Sequence, residues 1–269
     1  MPAALQVLIA TCRPEGISRV RDMNLPEVDG VEYLVMWQLH ADAPVPEALA
    51  ARVDVTVMRS ERVGLSANRN DLFDAATSPV VLIADDDLIY TPESLKALLE
   101  TVKANPDVDY FSFKHDEPRY KFFPEEECSL NKPVKYFYQT SFEIALRRNA
   151  RTAALRFHED FGIGTPYFGA GEEELLLMTA RRMGLNCRFF PICIVTHPGL
   201  STGNRKPTAK TLHARGAIVA LSHRWTWILR LPVHAWRLRS VSALGPLFAG
   251  ALSVAFRRKT SGTKHKKLT

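Results

Sequence analysis

Three carboxylates in a row, Asp85-Asp86-Asp87, follow directly on the apolar run Val80-Val81-Leu82-Ile83-Ala84. A fully apolar pentad reads as a strand covered on both faces, and in an open α/β sheet ligands gather beyond the carboxyl ends of such strands. Extended backbone sends alternate side chains to one side, so Asp85 and Asp87 are expected to converge while Asp86 points away. Carboxylates at that spacing suit Mg²⁺ or Mn²⁺, which take one or two of them and complete their shell with phosphate oxygens and water. Closely packed carboxylates also repel one another, and a divalent cation relieves that repulsion. A solvated acidic turn, or the cap of a following helix, has the same sequence.

A second acidic run, Glu172-Glu173-Glu174, follows Phe168-Gly169-Ala170-Gly171. The glycines allow backbone to approach a ligand closely, and the start of a helix favours ionised carboxylates. Successive helical residues differ by about 100°, so only one or two of the three can face a cleft. An ionised carboxylate there is placed to take a proton from an attacking hydroxyl; acids are also common in the first turn of any helix. His197 ends another apolar run before Pro198-Gly199. Beside a diphosphate it would ligate a metal or donate to a leaving group, whereas many lone histidines are structural.

The elements that must position these groups come next. Apolar runs of strand length occupy residues 7–10, 33–38, 53–58 and 80–84, with helical patterns at 66–75 and 94–103 between them. The second helix follows Thr91-Pro92-Glu93, a cap with Pro in the first turn. This alternation predicts an α/β, doubly wound sheet. Beyond it the pattern predicts strands at 109–114 and 134–139, a strand running into a helix over 142–156, and a charged loop over 114–132. A helix over 172–183 closed by Gly184, and a strand over 188–196, complete the core.

The chain has 269 residues, 46% of them hydrophobic and 24% charged, which is enough for a sizeable core. Its net charge of +6 is unevenly spread: no Asp or Glu follows Glu174, whereas 17 of the 35 Lys and Arg residues do. Such a segment fits anionic lipid, phosphates or nucleic acid. His223, Arg230, His234 and Arg237 fall on one helical face, with Trp225, Leu229 and Trp236 on the other. The run 243–256 would make a helix about 21 Å long against about 30 Å of hydrocarbon, and it contains Gly245 and Pro246. It is expected to lie in an interface, with Trp and Arg at headgroup depth, unless it packs on the preceding domain. The four cysteines form no metal spacing, and no Lys or Arg precedes the first apolar run, so no signal peptide is read.

Taken in order, these residues resemble the inverting GT-A glycosyltransferases of family 2. Val7-Leu8-Ile9-Ala10-Thr11 is similar to the family's nucleotide-binding first strand. Gly64-Leu65-Ser66-Ala67-Asn68-Arg69-Asn70 is similar to its G-L-S-x-x-R-N, and Leu82-Ile83-Ala84-Asp85-Asp86-Asp87 to its D-x-D strand. The run 157–164 precedes Gly171-Glu172-Glu173, which resembles the acceptor-side G-E-D/E motif, and residues 191–197 close the site. The resemblance implies a Rossmann-like GT-A domain over residues 1–205, with a mixed, mostly parallel sheet and helices on both faces. Residues 206–269 would form a basic amphipathic helical extension and tail.

It further implies that Thr11 and Arg69 contact the nucleotide, Asp85 and Asp86 lie at the donor, and Asp85 meets its ribose or base. Asp87 would hold the metal with Asp85 and His197, His197 lying near the diphosphate. Glu173 would be the base and Glu172 the neighbouring acceptor-binding carboxylate. The expected cofactor is Mg²⁺ or Mn²⁺. The expected partners are a nucleotide-sugar, with UDP favoured, and a saccharide or lipid-linked acceptor. An anionic membrane surface would meet residues 214–259, no nucleic acid is expected, and the setting is cytoplasmic or peripheral at the inner face of the cell membrane.

Two departures sharpen the reading. Cys12 stands where the family often has an aromatic residue. The second strand ends in Met36-Trp37-Gln38 rather than Asp, and the amide of Gln38 offers both donor and acceptor to the imide edge of uracil. Arg224-Trp225 echoes the Q-x-x-R-W of processive synthases, but Leu221 replaces the Gln, which favours single sugar addition. A sugar-phosphate nucleotidyltransferase would need a Gly-rich basic loop after the first strand, and Thr11-Cys12-Arg13-Pro14-Glu15-Gly16 makes a poor one. A non-catalytic membrane-surface binder is the rival from a different class.

Overall fold

The computed structural model describes residues 3–116, 121–198, 208–223 and 225–260, the last six without their side chains. Arg224, Gly199 and the terminal Lys264–Lys267 cluster therefore lie outside the described residues. Strands β1 (Leu5–Cys12), β2 (Val31–Gln38), β3 (Val55–Ser60) and β4 (Val80–Ala84) alternate with helices α1 (Arg13–Asp22), α2 (Glu47–Ala50) and α3 (Leu65–Ala75). Then come α4 (Pro92–Ala104), β5 (Tyr110–Asp116), β6 (Cys128–Ser129), a 3₁₀ turn at Ser141–Glu143 and β7 (Ile144–Arg147). Helix α5 (Glu172–Arg182), β8 (Cys187–Thr196), α6 (Ala209–Ser222), α7 (Trp227–Arg237) and α8 (Leu244–Thr260) follow.

The eight strands form one sheet in the order β3-β2-β1-β4-β7-β5-β8-β6. The first four are parallel, β7 runs antiparallel between β4 and β5, and β8 returns parallel to β5. Alternation along the strands divides the core into two layers. Val7, Ile9, Leu82 and Ala84 meet Ile17 and Val20 of α1 and Leu95 and Leu98 of α4. On the other face Leu8, Ala10, Val81 and Ile83 meet Leu72 and Phe73 of α3 and Leu176 of α5. The mixed, mostly parallel sheet with helices on both faces is the architecture expected.

Three local expectations fail. Residues 134–139 are not a strand, because Tyr136 takes a φ of 64° and Phe137 N closes a turn onto Val134 O. Residues 142–156 give a 3₁₀ turn and a four-residue strand, and then turns rather than a helix, where Asn149 Oδ1 accepts from the backbone of Arg151 and Thr152. Helix α1 was not foreseen. Arg13 enters it at a φ of 64°, its carbonyl held by Trp37 Nε1 at 2.8 Å, and Pro14 sits in the first turn.

The extension folds onto the domain rather than trailing from it. Helices α6 and α8 approach backbone to backbone: a Cβ on Gly216 would lie 1.9 Å from Leu247 O, and one on Gly250 1.8 Å from His213 O. The run 243–256, expected in an interface, buries Leu247, Gly250, Ala251 and Val254 there. Ala214 and Ala217 of α6 and Val254 of α8 join Phe161, Phe168 and Leu175 in a further apolar cluster. Among the described residues no helix is long and apolar enough to cross a membrane.

Candidate functional site

The alternation that builds two core layers also sorts the acidic triplet at the tip of β4. Ala84 faces α1 and α4, so the next side chain turns to α3 and the one after returns to α1. Asp85 accepts from Arg69 Nη2 of α3 at 2.8 Å, and Ser141 Oγ lies 3.4 Å away. Asp86 turns the other way and is buried, accepting from Thr11 Oγ1 at 2.5 Å and from Arg19 Nε and Nη2 at 3.0 and 2.8 Å. This packing needs Gly16, where a Cβ would fall 2.2 Å from Thr11 Oγ1.

Asp87 is the half-exposed member, its Oδ2 3.7 Å from His197 Nε2. Burial raises its carboxyl above the ordinary range; His197 opposes the rise, and the charges of Asp85 and Asp86 add to it. His197 reaches this point because Thr196 and Ile89 exchange backbone hydrogen bonds, tying the end of β8 to the loop after Asp87. Its ring stacks on Phe142 with centroids 5.5 Å apart.

The second triplet starts α5. Gly171 caps the helix at a φ of 93°, a left-handed conformation that glycine adopts without strain. A Cβ there would also sit 2.1 Å from Ile218 of α6. Glu172 is buried, and Arg69 Nη1 lies 3.5 Å from its Oε1 and 3.6 Å from Oε1 of Glu173. Burial and then the charge of Glu172 push the Glu173 carboxyl up to about 8, against the pull of Arg69. Glu174 is also raised by burial, with Arg215 opposing.

Arg69 is thus the hub: only 1% exposed, it touches Asp85 on one side and Glu172 and Glu173 on the other, with its guanidinium 5.3 Å from the Phe157 ring centroid. Burial works against its charge, and the three carboxylates together outweigh burial. The structure therefore brings together Asp85, Arg69, Glu172 and Glu173 in one group, Asp87 and His197 in a second, and Thr11 and Asp86 in a third. Gln38 ends β2 buried, its Nε2 lacking any hydrogen-bond partner among the described residues. Tyr90 Oη is buried in the same condition.

Sequence reasoning missed Arg19 and the 3₁₀ turn. Each residue of that turn holds a different piece: Ser141 accepts from Arg69 at 2.6 Å, Phe142 carries His197, and Glu143 is fully buried. The Glu143 carboxylate accepts from Lys121 Nζ at 2.6 Å and from Thr140 N at 2.9 Å, and it lies 2.5 Å from His115 Nδ1. The T-x-x-E spacing of Thr140 and Glu143 was the available signal. Asn68 and Asn70, on either side of Arg69 in its motif, hold backbone rather than ligand. Asn68 Nδ2 donates to Thr11 O and Met36 O, and Asn70 both donates to Phe157 O and accepts from Phe157 N, so α3 locks the strand ends to the 157 loop.

Among the described residues no group of three or more His, Cys, Asp or Glu side chains is arranged to hold a metal ion. Asp87, half exposed, and His197 lie 3.7 Å apart, while the Asp85 oxygens face Arg69 and Ser141 rather than Asp87, so the expected convergence of Asp85 with Asp87 is not seen. Two such side chains would suit an ion that takes the rest of its shell from phosphate oxygens and water.

The family model described as Glycosyl transferase family 2 matches residues 42–162, which takes in Arg69 and the Asp85–Asp87 tip and stops before Glu172. No curated protein matches the sequence. Among solved structures, the chain is similar to residues 1–349 of TarS from S. aureus: TM-score 0.58, 16% identity, 100% of this chain and 76% of that one covered. The same TarS fragment in complex with UDP-GlcNAc gives a TM-score of 0.58 at 15% identity, covering 100% and 77%. The mannosyltransferase PcManGT of Pyrobaculum calidifontis, in complex with GDP-Man and Mn²⁺, gives 0.54 at 16%, covering 98% and 82%.

Proposed function

We propose that the chain is a glycosyltransferase of family 2 on a GT-A fold and that it transfers one sugar from a nucleoside-diphosphate donor to an acceptor hydroxyl, with inversion. The observation that carries this reading is the placement of Glu173 at the start of α5, joined through Arg69 to Asp85 at the strand tip, where burial pushes its carboxyl up to about 8. A base must bind its proton well enough to take it from a hydroxyl and be ionised in a useful fraction of molecules; a value near neutrality meets both demands. One displacement by the activated hydroxyl, opposite the departing diphosphate, inverts the anomeric carbon.

The other groups divide the remaining work. Asp85, held by Arg69 and Ser141, receives the donor's ribose or base, and Thr11, Asp86 and Arg19 fix the strand ends that line the pocket. Gln38 has an unmatched amide donor at the end of β2, which favours a uracil base; TarS has been seen with UDP-GlcNAc. Asp87 and His197 would hold Mg²⁺ or Mn²⁺, as PcManGT has been seen with Mn²⁺. When bound, that ion offsets charge on the leaving diphosphate. Glu172, buried against Arg69 beside Glu173, is the acceptor-binding carboxylate, and its proximity adds to the rise at Glu173.

We assign residues 1–205 to catalysis and 206–269 to a basic extension. The acceptor is a saccharide or lipid-linked hydroxyl, which places the enzyme in the cytoplasm or at the inner face of the cell membrane. A panel of UDP- and GDP-sugars, assayed for nucleotide release with Mn²⁺ and again with chelator, tests the reading. Release from a UDP-sugar that chelator stops and Asp87→Ala abolishes is expected. Absence of release from every donor would overturn it.

A further inference from the structure

Helix α7 divides its residues sharply. Leu231 and Ala235 are buried against the extension, with Trp227 packed beside them. At about 100° per residue, Leu229, Val233 and Trp236 share the opposite face, with Pro232 beside them and Ile228 at the border of the buried side. All five are exposed: Leu229 at 75% and Trp236 at 78%, with Val241 at 82% just beyond the helix. Exposed apolar residues scattered singly are ordinary, as Val53 is on the catalytic domain, but a contiguous apolar face on one helix marks a surface that something covers.

Charge says what covers it. Arg230 and Arg237 flank the apolar face and are exposed, Arg239 follows, and no acidic residue occurs after Glu174. Tryptophans beside arginines on an amphipathic helix suit the boundary between lipid headgroups and acyl chains, the apolar side entering and the guanidiniums meeting phosphates. The neighbouring helix cannot compete for that role, since α8 spends Leu247, Ala251 and Val254 on packing.

We propose that the outer face of α7, with Val241, docks in the plane of an anionic membrane through Ile228, Leu229, Val233 and Trp236, guided by Arg230 and Arg237. The extension is clamped to the acceptor side of the site: Phe168 stacks between Phe161 and His213 of α6, and Ile218 fills the space beside Gly171. Docking thus holds the start of α5 in fixed relation to the lipid surface, which identifies the acceptor class as lipid-linked. That identification of the acceptor rests on the transfer reading above; the docking itself does not.

Co-sedimentation of the full chain with vesicles tests docking without catalysis. Binding to vesicles of phosphatidylcholine with about 30 mol % phosphatidylglycerol is expected, falling with salt and weak on phosphatidylcholine alone. The double variant Leu229→Ser/Trp236→Ser should lose binding at least tenfold, and Arg230→Glu/Arg237→Glu should lose the preference for phosphatidylglycerol, while both still release nucleotide from the donor at the wild-type rate. Equal binding by the Leu229→Ser/Trp236→Ser protein, or no binding by wild type, would overturn the proposal, as would a wild-type dimer in light scattering that this variant abolishes. Failed docking with intact nucleotide release would leave the transfer reading standing; intact docking without release would do the reverse.

Discussion

Of the chain's three runs of three consecutive carboxylates, two frame the candidate site, and the fold treats those two in opposite ways. At the tip of β4 the backbone is extended and then turns, so each aspartate meets a different element: Asp85 goes to Arg69 of α3, Asp86 to Arg19 of α1, and Asp87 to His197 after β8. Two of the three charges are matched by guanidiniums, and one is left toward solvent. At the start of α5 the residues turn about 100° at a time, and Glu172 and Glu173 crowd around one shared arginine while Glu174 feels only the charge of Arg215. Spread over separate partners, the three aspartates do not compete for one cation. Crowded on one cation in a buried place, carboxylates compete, and one of them is driven to hold a proton near neutral pH. Local backbone geometry, not composition, separates the triplet spread over three partners from the one gathered on a single arginine.

Arg69 is the residue common to both, so removing it should have the largest effect. In Arg69→Met, Asp85, Glu172 and Glu173 lose their shared cation inside the protein. Taking one partner from a buried ion pair costs roughly 3–5 kcal/mol. Thermal unfolding near pH 8 should fall well below wild type and recover partly near pH 5, where protonation replaces the missing charge. An equal loss at both pH values would mean that Arg69 acts by filling space and that the triplets are not coupled through it.

Glu173→Gln sharpens the contrast from the catalytic side. Its kcat should fall by about 10²–10⁴-fold, the usual worth of a general base, while donor binding measured by calorimetry is kept. In the wild type, kcat/KM should rise with pH and level off above about 8, because the ionised form is the base and is lost as pH falls through that value. Glu172→Gln should move this midpoint downward, since Glu172 is the second largest cause of the elevation. Stability runs the other way. The folded carboxyl binds its proton more tightly than an unfolded one, ordinarily near 4.5, so the native state loses stability as pH climbs from about 4.5 to about 8. Glu173→Gln should flatten that decline, and a wild-type rate in Glu173→Gln would move the base elsewhere.

How much of this could be read in the sequence follows the same division. The strand before Asp85 was legible because an apolar pentad ending in acids has few other solutions, and alternation alone puts Asp85 and Asp86 on opposite sides. The sharing of Arg69 was not legible, because it joins residues 69, 85, 172 and 173 through tertiary packing that no local period encodes. Helix α1 was hidden behind Arg13, whose positive φ depends on a hydrogen bond from Trp37, 24 residues away. The Val134–Gln139 segment misled in the opposite sense: its β-forming residues are real, but Tyr136 adopts a left-handed turn and no partner strand is reached. The apolar run of α8 was read by its length, which excluded a span but gave no warning that Gly216 and Gly250 let α6 cover it.

The smallest expected effect tests the quiet member of the first triplet. Asp86 holds a partly exposed Arg19 and a buried Thr11 hydroxyl, so Asp86→Asn forfeits one ion pair near solvent and rearranges one buried hydrogen bond. Exposed pairs contribute about 0–1 kcal/mol and a buried neutral hydrogen bond about 1 kcal/mol, so unfolding should shift by roughly 1–2 kcal/mol. Because its carboxylate is already occupied by this chain's own side chains, nucleotide-release KM and kcat should each move less than about threefold, an expectation drawn from full pairing rather than from its place in the motif. A collapse of donor affinity in Asp86→Asn with folding intact would show that Arg19 and Thr11 yield this carboxylate to the donor, and the division of labour between Asp85, Asp86 and Asp87 would have to be redrawn.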